Sequence, residues 1–277
     1  YNHAANPKAS IKILAIGNSF SDDGMEHLPA LLEDMGIENV EVARLYIGGC
    51  SLERHVKCYN THEAAYEFYH SKAGENHWVK SAEKVPMQHA LEMGEWDIIT
   101  LQQVSGLSGK YESYVPHLDR LIAIVSKAQP QAELVWHMTW SYAKESTHGD
   151  FPKYDRDQQK MYDAITDCVH RMLKEYDCFE KIIPSGTAIQ SLRLSEINNS
   201  PKDFTRDGYH MDLGAGRYAL ACTWYETLIK PYTRLSMMGN GLRLNLGDVK
   251  VTDATAPYCQ KAAKKAARKP FKVQRIK

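Results

Sequence analysis

Apolar positions recur along this chain in two alternating rhythms. Residues 11–16, Ile-Lys-Ile-Leu-Ala-Ile, form a branched apolar run that stops at Gly17-Asn18-Ser19 and reads as a buried strand. Residues 24–35 then carry apolar side chains at Met25, Leu28, Leu31, Leu32 and Met35, the spacing of an amphipathic helix, with Gly36 as a stop. The alternation continues, with strands predicted over 41–47, 97–101 and 133–139 and around Ile182-Ile183. Helices are predicted over 87–93, 115–128, 157–176 and 213–228. Around Gly74, residues 65–79 alternate apolar and polar positions, which predicts a hairpin added to the core and placed to line a cleft.

Strands alternating with helices, without internal repeats, predict a three-layer α/β/α sandwich around a mostly parallel sheet. A chain of 277 residues is long enough for one large domain. The expected division is a tail over 1–10, a catalytic domain over 11–232 and a C-terminal appendage over 233–277. In that appendage 235–251 reads as irregular or β-like, with a turn at Gly239-Asn240-Gly241. Thr252-Asp253 then caps a helix over 254–268. Lys261, Lys264, Lys265, Arg268, Lys269, Lys272, Arg275 and Lys277 make its end basic, which suits a helix C-terminus and ordinary solvation.

Open α/β sheets bind ligands beyond the carboxyl ends of their strands, so the loop after the first strand is where a nucleophile is useful. Ser19 stands there. Far downstream, Asp207-Gly-Tyr-His210 places a carboxylate and an imidazole three residues apart, the other members of a Ser/His/Asp arrangement. Trp140 and Tyr142 follow the carboxyl end of another predicted strand and are candidate platforms for a sugar ring.

Gly17-Asn18-Ser19-Phe20-Ser21 resembles the first block of the SGNH (GDSL-type) hydrolase superfamily, with Asn18 where many members carry Asp. Asp207-x-x-His210 resembles its last block, and the resemblance extends over roughly residues 11–230, as in a branch classed as a domain of unknown function. It implies an SGNH/flavodoxin-like fold and catalysis by Ser19, Asp207 and His210. Tyr46-Ile-Gly-Gly-Cys-Ser-Leu52 is similar to the second block, whose glycine gives a backbone N–H to the oxyanion hole; Gly48 or Gly49 would fill that role beside the Ser19 N–H. The third block of the family carries Gly-x-Asn, whereas Gln102-Gln103 stand in its place here, so either glutamine amide is a candidate donor. If the strand continues through them their side chains point to opposite faces.

Composition narrows the partners. Lys plus Arg and Asp plus Glu both number 34, so no global field draws the chain to nucleic acid or an anionic membrane. No apolar run approaches the roughly 20 residues of a membrane span. Cys50, Cys58, Cys168, Cys178, Cys222 and Cys259 lack C-x-x-C spacing, and the histidines are dispersed, so neither a metal nor another cofactor is expected. Cys50, beside the candidate oxyanion glycine, competes with Ser19 as nucleophile from a poorer position. The absence of an initiating Met is compatible with a removed targeting segment without requiring one; export to a periplasm or the exterior is the expectation, with the cytoplasm as the alternative. The expected function is a serine esterase acting on short acyl esters, with O-acetylated carbohydrate preferred because many superfamily members deacetylate glycans. The alternatives are a lipid or thioester hydrolase, or an inactive carbohydrate-binding module on the same fold.

Overall fold

The computed structural model describes residues 4–199 and 201–277. Its centre is a seven-stranded sheet in the order β4-β3-β2-β1-β5-β6-β7. The strands are β1 (Ile11–Gly17), β2 (Val40–Tyr46), β3 (Tyr66–Lys72), β4 (Lys80–Val85), β5 (Ile98–Leu101), β6 (Glu133–His137) and β7 (Phe179–Ile183). Strands β2, β1, β5, β6 and β7 run parallel, while β3 and β4 are antiparallel additions at one edge. The parallel strands are covered on both faces, which is why β1 and β5 read as near-continuous apolar runs.

The helices are α1 (Ser19–Met25), α2 (Leu28–Asp34), α3 (Leu52–Asn60), α4 (Met87–Leu91), α5 (His117–Ala128), α6 (Gln158–Glu175), α7 (Ser185–Leu192), α8 (Ala215–Trp224), α9 (Lys230–Thr233) and α10 (Ala256–Arg268). α8 is the hub of one layer, packing against α1, α2, α7 and α10, and α3 packs against α4 and α5 in the other. A short hairpin, β8 (Asn245–Leu246) with β9 (Val249–Lys250), precedes α10. Among the described residues no helix is long and apolar enough to cross a membrane.

Several elements differ from the sequence expectation, each for a physical reason. The single helix expected over 24–35 is two helices, because Pro29 is accommodated only in the first turn of α2, where its missing N–H costs nothing. Helix α7 was not expected: every residue of Ser185–Leu192 is buried, so it shows no amphipathic stripe. The expected hairpin over 65–79 is β3-β4, with its second strand later than predicted. It extends the sheet beyond β2 and contributes no residue to the cleft that holds Ser19. The segment 233–277 is joined to the core, where Ala256, Cys259, Ala262 and Ala263 of α10 are buried with the strands and the central helices.

Candidate active site at the carboxyl edge of the sheet

Strand order reverses direction around β1. The chain leaves β1 towards β2 on one side and β5 towards β6 on the other, so their end loops diverge and leave a crevice. Gly17 ends β1 in register with Tyr46 at the end of β2, and Ile16 is in register with Leu101 at the end of β5. Ser19, the Gly48-Gly49 turn and Gln102-Gln103, separated by tens of residues in sequence, therefore emerge at one edge.

Ser19 is the first residue of α1 and is half-buried. Its Oγ lies 2.7 Å from His210 Nε2, and His210 Nδ1 lies 2.5 Å from Asp207 Oδ2. Asp207 Oδ1 accepts the backbone N–H groups of His210 at 2.7 Å and Tyr209 at 3.1 Å, so the carboxylate also shapes the turn that presents the ring. Partial burial would raise the Asp207 pKa, but hydrogen bonds from the His210 ring and from these two N–H groups hold it below the ordinary carboxylate value. With Asp207 accepting at Nδ1, the His210 tautomer leaves Nε2 free to take the Ser19 proton.

Phe20 stacks on Trp140 with ring centroids 4.3 Å apart, and the Trp140 indole N–H donates to the Tyr209 carbonyl at 2.7 Å. Trp140 is thus a buried support for the His210 turn rather than a substrate platform. Tyr142 is likewise fully buried, with its hydroxyl 2.8 Å from Ser105 Oγ. Neither lines the cleft: Trp140 lies behind Phe20, and Tyr142 packs against His148, Phe151 and Tyr209. The cleft, about 360 Å³, is lined by Asn18, Ser19, Phe20, Tyr46, Gly48, Gly49, Val104, Ser105, His148, Asp150, Tyr209 and His210. Tyr46, His148, Asp150 and Tyr209 had no sequence signal of their own. Tyr46 and Tyr209 lie within the recognised blocks, which is the signal that could have found them.

The two glutamines point apart, and neither lines the cleft. Gln103 Oε1 accepts the N–H groups of Leu52 and Val104, while its amide donates to Ser113, so it ties β5 to the start of α3. Gln102 donates from Nε2 to Asn18 Oδ1 at 2.9 Å, which turns its amide to Asn18 and away from the cleft. Asn18 Oδ1 also caps α1 through the Phe20 N–H, and Asn18 Nδ2 donates to the Cys50 carbonyl at 3.2 Å. On the far side, burial pushes the His137 pKa down to about 3, so its ring is neutral; Nδ1 faces Gln102 Oε1 at 3.2 Å and Nε2 faces Ser185 Oγ at 2.8 Å. A buried chain of hydrogen bonds therefore runs from Ser185 to the loop after β2. Asn18 links the start of α1 to the Gly48-Gly49-Cys50 turn.

Gly49 has φ +63°, the left-handed conformation that favours glycine. Neither Gly48 nor Gly49 donates a backbone hydrogen bond to backbone among the described residues, which leaves their N–H groups able to take an external acceptor. The Ser19 N–H, in the first turn of α1, has no intrahelical acceptor either. Cys50 is buried 3.4 Å from His55 Nδ1, and burial pushes its thiol well above the ordinary value, so it is not a thiolate nucleophile. All six cysteines are free. No cluster of three metal-ligating side chains occurs among the described residues.

No curated protein matches this sequence. Among solved structures, a candidate SGNH hydrolase from Slackia heliotrinireducens is similar at TM-score 0.51 and 20% identity, over 79% of this chain and 100% of that one, a likeness of fold. A DUF4886 family protein from Bacteroides uniformis is similar at TM-score 0.86 and 37% identity, over 97% of this chain and 100% of that one. Residues 12–254 match the DUF4886 profile, described as a domain of unknown function, and with an SGNH-like fold around a mostly parallel sheet this chain belongs to the DUF4886 family.

Proposed function

We propose that this protein is a serine ester hydrolase that removes short acyl groups, O-acetyl groups of carbohydrate above all, through an acyl-Ser19 intermediate. The observation that carries the reading is the hydrogen-bonded chain from Ser19 Oγ through His210 to Asp207, which opens into a cleft. Ser19 Oγ attacks the ester carbonyl carbon as His210 Nε2 takes its proton, and Asp207 stabilises the imidazolium. The new oxyanion lies beside the N–H groups of Ser19 and of Gly48 or Gly49; a well-placed donor of this kind contributes about 3 kcal/mol to the transition state. The intermediate collapses as His210 returns the proton to the departing alcohol. Water, deprotonated by the same imidazole, then releases the acid and restores Ser19. A cleft of about 360 Å³ whose walls mix aromatic rings with polar groups suits a short acyl group on a polar alcohol better than a long alkyl chain.

The test is acetate release from para-nitrophenyl acetate and acetylated polysaccharide by the wild type and by Ser19→Ala and His210→Ala. Each variant is expected to lose about a thousandfold or more in kcat, with the double variant little worse than either, because the residues act as a unit. Labelling by a serine-directed phosphonate is expected at Ser19. Undiminished turnover in Ser19→Ala, or no turnover by the wild type, overturns the proposal.

A further inference from the structure

Asp150 belongs to neither catalytic motif, yet it lines the cleft that holds Ser19 and His210. The segment between β6 and α6 carries it there. Gly106, in the loop after β5, lies beneath it: a Cβ at that position would collide with the Asp150 carboxylate, so the glycine leaves the space the carboxylate occupies. Lys153 pairs with Oδ1, whereas Oδ2 takes no hydrogen bond from any described residue. The side chain is 36% exposed, enough to be reached from the cleft.

His148 completes the wall. Its Nδ1 accepts the Asp150 N–H at 3.0 Å, which places the ring proton on Nε2. Burial lowers its pKa, so the ring is an uncharged donor at neutral pH. That Nε2 lies 3.5 Å from the Tyr142 hydroxyl, too long for a strong bond. The Tyr209 ring stands between the two imidazoles, 4.6 Å from His148 and 4.3 Å from His210 between centroids. The wall facing the nucleophile thus offers a charged acceptor, a neutral donor and an aromatic face.

We propose that Asp150 and His148 form a hydroxyl-binding subsite that holds the alcohol half of the ester, a sugar ring with free neighbouring hydroxyls. This rests on the ester hydrolase reading and names its substrate class. Two adjacent ring hydroxyls can donate to one carboxylate, and such charge-assisted bonds are about twice as strong as neutral ones. The Tyr209 ring suits the C–H face of a sugar.

The experiment compares kcat/KM of the wild type and Asp150→Asn on monoacetylated methyl glucopyranoside, its fully acetylated counterpart, and para-nitrophenyl acetate. The preference for the monoacetylated sugar over the aryl ester is expected to fall about tenfold in the variant, as the loss of a hydrogen bond to a charged group predicts. The preference for the fully acetylated sugar, which has no hydroxyl to donate, is expected to hold. An unchanged preference for the monoacetylated sugar, or an equal fall for both sugars, overturns the subsite. If Asp150→Asn is unstable, Asp150→Glu, which keeps the charge but displaces it, is expected to shift the preference in the same direction. Binding of unesterified methyl glucopyranoside to Ser19→Ala, read by saturation-transfer NMR, tests the subsite without turnover. Saturable binding that disappears on adding Asp150→Asn supports it even if the wild type cleaves no ester and the hydrolase reading fails; absence of binding overturns it.

Discussion

The carboxylate of Asp23, fully buried in α1, accepts the backbone N–H of Met211 at 2.9 Å, so the helix that begins with Ser19 is fastened to the residue next to His210. The other oxygen of Asp23 takes Arg217 Nε at 2.8 Å and Arg206 Nη1 at 3.0 Å. Arg206 also donates its backbone N–H to the His210 carbonyl at 3.0 Å. Ser19 and His210, 191 residues apart in sequence, are thereby held through one network.

Asp23→Ala is expected to lower stability by about 3–5 kcal/mol, because it leaves Arg217 and the Met211 N–H without their buried acceptor. Urea unfolding measures this. Asp23→Asn keeps an acceptor for Met211 but loses the charge that pairs with both arginines, so its stability loss should be smaller. Its kcat is expected to fall more than its KM rises, as befits a residue that positions His210 and does not touch substrate. A stable Asp23→Asn with wild-type kcat would show that the network serves the fold alone.

Gln102 acts through Asn18. Gln102→Ala removes the donor to Asn18 Oδ1 and leaves His137 facing a gap, so both the cap of α1 and the Gly48-Gly49-Cys50 turn loosen. The expected result is a kcat about tenfold lower with KM little changed, less than the loss of an oxyanion donor itself. A loss as large as that of Ser19→Ala would instead assign the amide a direct part in the reaction. Gln103→Ala, whose contacts lie at the start of α3 and at Ser113, should lower the melting temperature without that selective loss in kcat.

Asp207 also sets a pH dependence of stability. Its folded-state pKa lies below the unfolded value of about 3.9, so the carboxylate stabilises the native state above that value. The contribution is lost as pH falls through the lower, folded-state pKa. The melting-temperature difference between the wild type and Asp207→Asn is therefore expected to be constant near neutral pH and to shrink progressively below about pH 4. A difference that grows on acidification contradicts the hydrogen-bonded arrangement of this carboxylate. In turnover, Asp207→Asn is expected to impair catalysis by favouring the wrong His210 tautomer.

What the chain states locally, its sequence alone determined. The near-continuous apolar runs of β1 and β5, the amphipathic stripe of α5 and the helical span that starts at Asp157 are near-neighbour patterns, and the parallel sheet follows from their alternation. Ser19 at a strand end and Asp207 three residues before His210 are equally local, so these candidates could be named before their partners were placed. Gln102 and Gln103 point apart although β5 ends at Leu101, before the strand period could set their directions, and which one meets Asn18 depends on β5 lying beside β1. Only the tertiary structure could decide that Trp140 and Tyr142 are buried supports, because the stacking of Trp140 on Phe20 and the packing of Tyr142 against Tyr209 are contacts between distant parts of the chain. The same holds for Asp150 and His148. They sit in a segment with no periodicity, and their place opposite Ser19 exists only once the β6 loop folds across Gly106 at the edge of the sheet.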